Sequence, residues 1–374
     1  MRILISAAAA RMGGARAHVI GLVPELAAIA PDDEVLLIAQ PDLLLALPQL
    51  PTTWQLRAEQ AQNRGFVNRF AWEQRVLPRI AAGWRADVLL SFGSFVPLRS
   101  PCPTVLEAGN ALAFTAQYWT ILKTEPLPVQ LEEHARWALL RASLASAARV
   151  LTPTRAMRQD VVTRLPGLLP KVDVALWGVA PTFRETRWSD PPGHTILGVS
   201  KHGINKEFDV LVAALPHLIQ RVPDVHLVLT GTPDESRWSR RSAALAERLG
   251  VADRVCFAGD VPNPQVAALI QQARVLVFPT WCESFGLPLA EALAMGAPAV
   301  AADIPACREV GADAAYYYTS GQPLSMAQAI GELLENPESA RALARAAHQR
   351  GTCFSWRANA EAVHSTLLKA ASSR

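Results

Sequence analysis

The sequence predicts an α/β protein in which two doubly wound parallel sheets face a shared cleft. Its 374 residues are enough for two domains at about 150 residues each. Short runs of Val, Ile and Leu alternate with helical stretches, which is typical of parallel strands covered on both faces. The alternation lapses at Gly178–His194, where three prolines indicate a linker, and then restarts. Ligands of such folds bind beyond the carboxyl ends of the strands, so we expect the chemistry there.

The first half opens with an apolar run at Arg2–Ser6. This run could be a short signal peptide, but a buried first strand is favoured because a Gly-Gly turn and the helical stretch Ala15–Ile29 follow directly. A longer helix is predicted over Asn63–Ala82, with a kink at Pro78. The other strands of this half are expected at Glu34–Ala39, Asp87–Ser91, Thr104–Glu107, Arg149–Thr152 and Val172–Leu176, and the other helices at Val129–Ala147 and Thr154–Leu165.

The second half repeats the alternation of strand and helix. Strands are predicted at Thr195–Val199, Val225–Thr230, Arg254–Ala258, Arg274–Phe278 and Pro298–Ala302. Helices are predicted at Lys206–Arg221, Ser236–Leu249, Pro264–Gln272 and Leu287–Met295, then from Leu324, from Pro337, and over Trp356–Ala371.

Composition excludes several classes of protein. Apolar residues make up 50% and charged residues 18% of the chain, as in a folded globular protein. A net charge of +3 gives no concentrated basic face, so we expect no nucleic-acid partner. The five cysteines include no Cys-x2-Cys pair, which argues against a disulfide framework or a zinc site and fits a reducing, cytoplasmic compartment. No apolar run is long enough to span a membrane, and no bound metal is expected.

The most informative segment is Val275–Val300, VLVFPTWCESFGLPLAEALAMGAPAV. A buried strand leads through a loop into a helix, since Pro288 suits a first helical turn and Gly296 suits the residue after the last turn. Backbone N–H groups at a helix start favour anions such as a diphosphate, and a glycine there permits close approach. The groups expected to hold such an anion belong to Ser284, Phe285, Gly286 and Leu287.

Two glutamates belong to the same segment, Glu283 just before the helix and Glu291 on it. Alone, Glu283 could be a helix cap and Glu291 a solvated residue. The whole string, Glu283-Ser-Phe-Gly-Leu-Pro and then Glu291-Ala-x-Ala-x-Gly-x-Pro, resembles the Glu-x7-Glu signature of the family-4 retaining glycosyltransferases, whose GT-B fold has two Rossmann-like domains. In that family the first Glu lies at the donor sugar and the second holds the ribose hydroxyls of the nucleotide. The resemblance implies these roles for Glu283 and Glu291.

A second constellation follows the strand Thr195–Val199, where the sequence reads Ser-Lys-His-Gly-Ile-Asn-Lys. Lys201 and Lys206 are two of only five lysines in the chain, and fixed cations would stabilise a diphosphate leaving group. The resembling family has a basic residue, usually Arg, then four others and a Lys here; Lys201 departs from this because Lys cannot form a bidentate fork. Ser200 and His202 are further candidates for donor contacts. The alternative is a pair of solvated lysines at a helix start.

Weaker matches lie elsewhere in the chain. Gly13 and Gly14 resemble the family's N-terminal glycine loop, which borders the donor diphosphate, although alone they indicate only a turn. Gly231 ends a strand where the family has a glycine-rich turn near the donor. Val261 follows the strand that lies beside the nucleotide base in that family. We therefore expect all four residues to be donor-binding.

The same resemblance implies a division of labour between domains. Residues 1–185 would bind the acceptor, and the final helix 356–374 would complete this domain, because it resembles the family's C-terminal segment that packs on the first domain. Residues 194–355 would bind the nucleotide sugar.

One departure concerns the N-terminal half, where many family members carry a His near the reacting sugar. The corresponding segment, Thr104–Asn110, contains none. Glu107 or Asn110 could replace it, with Asn110 bonded to a sugar hydroxyl, or Asn110 could only cap the next helix. His18 follows the glycine loop and is either a sugar contact or a structural residue of its helix.

The stretch 64–84 interleaves arginines with aromatic residues, starting at Arg64-Gly-Phe. Similar enzymes use a basic amphipathic helix of the first domain to bind membranes, so peripheral contact with the inner membrane face is one expectation. The alternative is a helix that covers the core with solvated arginines.

Together these observations predict a metal-independent hexosyltransferase without a cofactor. It would move a hexosyl unit from a GDP- or UDP-linked sugar to an acceptor hydroxyl with retention, in bacterial surface glycan or lipopolysaccharide synthesis. Its partners would be the nucleotide-sugar donor and a glycan or lipid-linked acceptor. Two alternatives are a nucleotide-sugar epimerase of the same fold and a non-catalytic protein that binds sugar nucleotides.

Overall fold

A computed structural model describes residues 1–60 and 65–373. The chain forms two compact units. Unit 1 comprises Met1–Gly178 and the C-terminal segment from Ser355, and unit 2 is Val179–Phe354.

Unit 1 contains a seven-stranded parallel sheet with the order β3-β2-β1-β4-β5-β6-β7. Its central strand lies in the middle of the core, because Ile3, Leu4 and Ile5 are fully buried. The strands are β1 (Arg2–Ser6), β2 (Glu34–Ala39), β3 (Trp54–Ala58), β4 (Val88–Phe92), β5 (Thr104–Glu107), β6 (Arg149–Thr152) and β7 (Val172–Val174).

Helices connect these strands and cover the sheet, as parallel pairing requires. They are α1 (Gly13–Ile29), α2 (Pro41–Leu45), α3 (Gly65–Arg75), α4 (Leu77–Gly83), α5 (Ala116–Leu122), α6 (Leu127–Ser146), α7 (Arg155–Arg164) and the C-terminal α16 (Trp356–Ala371), with 3-10 turns at Leu112–Phe114 and Pro166–Lys171. The C-terminal helix packs on α1 at Gly21 and on the segment after β7 at Gly178, where an added Cβ would lie 2.1 or 2.3 Å from Trp356 atoms. Glycine is therefore required at both contacts.

Unit 2 contains a six-stranded parallel sheet with the order β10-β9-β8-β11-β12-β13. The strands are β8 (Thr195–Gly198), β9 (His226–Leu229), β10 (Val255–Phe257), β11 (Val275–Phe278), β12 (Ala299–Ala302) and β13 (Tyr316–Tyr318). The helices are α8 (Pro181–Glu185), α9 (Phe208–Ile219), α10 (Arg237–Arg248), α11 (Asn263–Gln272), α12 (Leu287–Met295), α13 (Pro305–Gly311), α14 (Pro323–Glu335) and α15 (Pro337–Gly351), with 3-10 turns at Ala252–Arg254 and Ala312–Ala314.

The boundary between the units differs from the predicted one. The first unit ends at Gly178, whereas the sequence placed the end of the N-terminal domain at residue 185. The difference is helix α8, which packs on α11 and α12 of unit 2. The linker-like prolines around residue 191 therefore lie within unit 2.

The helix predicted over Asn63–Ala82 is divided. Helix α3 ends at Arg75 and α4 begins at Leu77, so the break precedes Pro78, which takes the second position of α4. A proline suits the first turn of a helix, where its missing N–H costs no hydrogen bond, which explains the placement. Asn63 and Arg64 lie outside the described residues.

Candidate active site

Helix α12 begins at the carboxyl edge of the unit 2 sheet, directly after the loop that follows β11. Gly286 precedes its first residue with φ +97°, a conformation that L side chains rarely adopt, and a Cβ there would lie 3.0 Å from Phe278 Cε1. Pro288 is in the first turn, and Gly296 ends the helix in the left-handed region. These are the bounds that the sequence predicts.

The first turn of α12 presents backbone donors. Leu289 and Ala290 donate their N–H groups to the Gly286 carbonyl, at 3.1 and 3.2 Å. The N–H groups of Gly286 and Leu287 have no acceptor within the described part of the chain. The Phe285 ring is buried edge-on against Phe354, so this residue can offer a ligand only its backbone. Together with the dipole of α12, the first-turn N–H groups suit an anion.

Two loops meet beside this helix start. The segment after β8 pairs with the segment after β11 through an antiparallel bridge between Lys206 and Thr280. Trp281 N–H donates to the Asn205 carbonyl at 3.0 Å, and Glu207 N–H donates to the Pro279 carbonyl at 3.1 Å. Lys206 therefore lies in a loop and not on the predicted helix, which begins at Phe208.

This pairing brings Lys206 and Glu283 together. Lys206 Nζ contacts Glu283 Oε1 as an ion pair, and the two side chains are 10% and 13% exposed. The same Oε1 accepts from Asn205 Nδ2 at 3.1 Å and from Thr280 Oγ1 at 3.2 Å. Glu283 Oε2 accepts no hydrogen bond from the residues described, so one carboxylate oxygen anchors the loops and the other is available.

Glu291 is the only charged residue of α12. Its carboxyl makes no hydrogen bond and no ion pair within residues 1–60 and 65–373, and its side chain keeps partial exposure. Burial raises the pKa of this carboxyl from 4.5 to about 8. A half-buried carboxyl without a protein partner, one turn into a helix whose start suits an anion, is typical of a ligand site.

Lys201 has a different environment from Lys206. Its Nζ pairs with Asp260 Oδ1 at 2.7 Å, and the two side chains are 54% and 80% exposed. Asp260 follows β10, and the partly exposed Val261 is the next residue. Lys201 is thus an accessible cation at the same sheet edge, held only by a surface ion pair.

The loop after β9 is tightly closed. Gly231 has φ +92° and exchanges two backbone hydrogen bonds with Gly259. A Cβ on Gly231 would lie 2.6 Å from Glu235 Oε2, which accepts from Thr232 N–H at 3.2 Å. The loop favours glycine at this position because of the positive φ, and its expected contact with the donor stays a prediction. Ser200 is tied to the same strand end, since its N–H donates to Thr230 Oγ1 at 3.1 Å.

The ring of His202 is enclosed by protein, so the ligand contact considered from the sequence stays a prediction. The side chain is 5% exposed and stacks on Phe208 at 4.2 Å, and its Nε2 bonds the Thr230 carbonyl at 2.9 Å. Burial lowers the pKa of the imidazole, which favours the neutral ring. Its backbone N–H is bonded to Glu235 Oε1 at 3.2 Å. The histidine thus stabilises the loop that carries the lysines.

In unit 1, His18 and Glu107 lie in the core and are not exposed as sugar contacts. His18 Nδ1 is 3.4 Å from Glu107 Oε1, and the side chains are 1% and 5% exposed. His18 Nε2 bonds Asn359 Oδ1 at 3.1 Å, and the Asn359 amide donates to the carbonyls of Ala175 and Leu176. This pair joins α1, β5 and α16, so the predicted structural role of His18 applies.

The other candidates of unit 1 occupy the carboxyl edge of its sheet. Asn110 is exposed, and its Oδ1 accepts from Leu112 N–H at 3.0 Å, which is the capping role considered from the sequence. Gly13 and Gly14 form the first residues of α1, with Gly13 at φ +59°. The contacts that the sequence expects for these glycines remain predictions.

The basic-aromatic stretch packs largely into unit 1. Phe66 and Phe70 form a cluster with Phe95, and Arg69 pairs with Glu73 at 3.1 Å. These contacts fit the core-covering alternative, while Val67 is 75% exposed on the same helix. Among the described residues, no helix is long and apolar enough to cross a membrane.

Four residues of the unit 2 site have no signal in the sequence. Asn205 and Thr280 bind Glu283 Oε1, and Glu207 and Tyr318 are hydrogen bonded behind these loops. Their roles depend on pairing between segments about 75 or more residues apart. Within the described ranges, no group of three His, Cys, Asp or Glu side chains is arranged to hold a metal ion.

Comparison with solved structures defines the class of fold. Sucrose-phosphate synthase from Thermosynechococcus elongatus superposes with a TM-score of 0.78 at 17% identity, covering 100% of this chain and 99% of that one. HepE from Anabaena, crystallised with UDP-glucose, gives 0.71 at 17% identity, covering 99% and 100%. The chain therefore has the GT-B glycosyltransferase fold.

The sequence comparisons identify the family of one domain. Residues 183–350 match the family "Glycosyl transferases group 1", so the chain carries a domain of that family. A D-inositol 3-phosphate glycosyltransferase from Segniliparus rotundus is 33% identical over 199 residues, which are 52% of this chain and 44% of that protein. One from Xylanimonas cellulosilytica is 31% identical over 248 residues, 62% and 59% of the two chains. The matches thus span about half the length of these relatives.

Proposed function

We propose that this protein is a retaining hexosyltransferase that uses a nucleotide-diphosphate sugar, and that unit 2 binds this donor. The observation that carries the proposal is the set of groups around the start of α12: two backbone donors, the Lys206–Glu283 pair and the unpartnered Glu291. Each group matches one part of such a donor. Unit 1 would bind the acceptor.

The diphosphate would lie against the start of α12. The N–H groups of Gly286 and Leu287 would donate to its oxygens, and Lys206 would neutralise the charge that develops as the glycosidic bond breaks. Lys206 is well placed for this because it is nearly buried, where a fixed cation acts more strongly than in water. The exposed Lys201 would contribute a weaker, screened attraction. We expect this stabilisation to operate without a metal ion.

The two glutamates would bind the sugars at either side of the diphosphate. Glu291 would accept hydrogen bonds from the ribose hydroxyls, which satisfies a carboxyl that has no protein partner. Glu283 Oε2 would accept from a hydroxyl of the transferred hexose, while Oε1 stays bonded to Lys206, Asn205 and Thr280. The residue roles that the family resemblance implies thus fit the available atoms.

The comparisons support a UDP-linked donor as the first candidate, since HepE was crystallised with UDP-glucose; a GDP-linked donor is the second. The relatives named D-inositol 3-phosphate glycosyltransferases support a polyol phosphate as one acceptor to test. The wider proposal is a glycan or lipid-linked acceptor of bacterial surface polysaccharide synthesis. An epimerase would need a base that acts on the sugar ring, and no residue of the site is favoured for that role.

A product assay tests the proposal. The purified chain is incubated with UDP- or GDP-hexoses and an acceptor panel that includes inositol phosphate and lipid-linked glycans, with and without EDTA, and products are analysed by NMR. The proposal predicts an EDTA-insensitive glycoside with the anomeric configuration of the donor. An isomerised free sugar nucleotide would indicate the epimerase, and binding without turnover on every acceptor would indicate the non-catalytic alternative.

A further inference from the structure

Beside their backbone pairing, the two loops of the donor site are linked by a buried side-chain hydroxyl. Tyr318, at the end of β13, donates its Oη–H to Glu207 Oε2 at 2.6 Å. The Tyr318 hydroxyl oxygen in turn accepts the backbone N–H of Thr280 at 3.1 Å. One loop therefore carries Lys206 next to Glu207, and the other carries Glu283 three residues after Thr280.

The network is enclosed on all sides that the structure describes. Tyr318, Glu207 and Thr280 are 1%, 5% and 0% exposed. Glu207 also accepts from Ser320 Oγ at 2.7 Å, and its own N–H donates to the Pro279 carbonyl at 3.1 Å. Buried polar groups keep their geometry when each has a partner, because losing one leaves the other unsatisfied.

The network stops short of every atom assigned to the donor. Tyr318 and Glu207 reach the site through the backbone of Lys206 and through Thr280. The Thr280 Oγ1 lies 2.9 Å from the Asn205 carbonyl and 3.2 Å from Glu283 Oε1. We propose that Tyr318 and Glu207 are positioning residues that fix Lys206 and Glu283 relative to one another for donor cleavage. This inference rests on the proposed function, because it assigns a task within that donor site.

Loss of the Tyr318 hydroxyl should change kcat more than the Kd for the nucleotide. Without the Tyr318 hydroxyl, the Lys206 loop and the Thr280–Glu283 loop keep their backbone pairing but lose the side-chain link between Glu207 and Thr280. Small misplacements of catalytic groups are costly in rate. The start of α12 and Glu291 lie outside the network, and Lys206 keeps its charge and its backbone pairing, so we expect nucleotide binding to be retained, unlike in Lys206→Ala. Tyr318→Phe therefore lowers kcat about 10-fold or more and leaves the Kd for the nucleotide diphosphate within about 2-fold.

Tyr317 provides a matched control on the same strand. Its side chain points to the opposite face of β13 because neighbouring residues of a strand alternate. Its hydroxyl donates to the Ala312 carbonyl at 2.7 Å, away from the site loops. Tyr317→Phe thus loses a hydroxyl bond of similar length, and we expect its kcat to equal that of the wild type.

The experiment measures kcat, donor KM, nucleotide Kd and Tm for wild type, Tyr318→Phe, Tyr317→Phe and Glu207→Gln. Glu207→Gln preserves shape and provides a variant that folds if Tyr318→Phe does not; we expect a kcat loss with unchanged Kd. Equal kcat in both phenylalanine variants, or losses of kcat and binding that track Tm alone, would overturn the positioning role. A wild type without turnover or nucleotide binding would instead overturn the proposed function on which it rests.

Discussion

The carboxyl edges of the two sheets carry similar polar side chains and use them in opposite ways. In unit 1, the side chains of His18 and Glu107 are 1% and 5% exposed and lie next to each other. His18 is also hydrogen bonded to Asn359. In unit 2, Lys206 and Glu283 retain access, and Glu291 has no partner in the described chain. Polar groups enclosed in a core are closed to a ligand, whereas those left available can serve one. The difference locates the proposed chemistry in unit 2.

The largest effect is expected from Glu283→Gln. This change keeps the size of the side chain but removes the charge that holds Lys206 and the bond offered to the hexose. We expect kcat to fall about 100- to 1000-fold, measured with saturating donor and acceptor. Glu338→Gln, at an exposed position of α15, is the matched control with full activity. An undiminished rate for Glu283→Gln would remove this residue from the site.

For His18→Leu in unit 1, we expect a loss of stability without a loss of nucleotide binding. The change leaves Asn359 Oδ1 without its hydrogen-bond donor and removes the imidazole beside the buried Glu107 carboxyl, which costs about 1–3 kcal/mol of unfolding free energy. Denaturant unfolding measures the loss, and nucleotide binding by the folded protein should stay unchanged. The double change His18→Leu with Glu107→Leu should recover part of the stability, since it removes both polar groups. A loss of nucleotide affinity with normal stability would contradict the structural role.

From the raised pKa of Glu291 we expect stability and nucleotide affinity to depend on pH, with an effect of intermediate size. Its pKa is 4.5 unfolded and about 8 folded, so the folded state binds more protons between these values and stability falls as pH rises through this window. Because the side chain is partly exposed, we expect a loss of about 2 kcal/mol, absent in Glu291→Gln. Nucleotide affinity should rise over the same window, because ribose hydroxyls donate to the ionised form. Parallel stability curves for both proteins would refute the prediction.

The smallest effect is expected from Lys201→Ala. The Lys201–Asp260 pair is exposed, so its loss should change the unfolding free energy by less than about 1 kcal/mol. Turnover should fall only about 3- to 10-fold, and the difference from wild type should shrink as salt is added, because an exposed charge is screened. A loss as large as that of Lys206→Ala would mean that the two lysines are equivalent, which their unequal burial argues against.

The sequence predicts much of this fold because its signals are local. The alternation of strand and helix, and the Pro288 and Gly296 that bound α12, act within a few residues. Strand β3 is missed because only Trp54 of it is buried, so an edge strand shows no apolar run. Strand β13 is missed because it has three residues and is a run of tyrosines. Both are short or exposed elements that only sheet pairing reveals.

The residues of the candidate site also fall into those that local sequence signals predict and those that only the folded structure reveals. Glu283, Glu291 and Lys206 stand out by their motif, and the available atoms of the structure fit their predicted roles. His202 is indistinguishable in sequence from a ligand contact, and its burial follows from stacking on Phe208 and bonding to Thr230. The Tyr318 hydroxyl connects Glu207 with Thr280 across separate strands, which no spacing rule encodes.

The most direct test of the central claim is a thermal-shift titration of the full chain with UDP, GDP and ADP and their sugar conjugates, with and without EDTA. Wild type, Lys206→Ala, Glu291→Gln and His18→Leu are compared. At about 100 times Kd a ligand adds roughly 2.7 kcal/mol, which gives a clear rise in Tm. We expect one nucleotide to raise the Tm with and without EDTA. This rise should persist in His18→Leu and be lost in Lys206→Ala and Glu291→Gln. No shift in any protein, or an equal shift in all four, would contradict a donor site in unit 2.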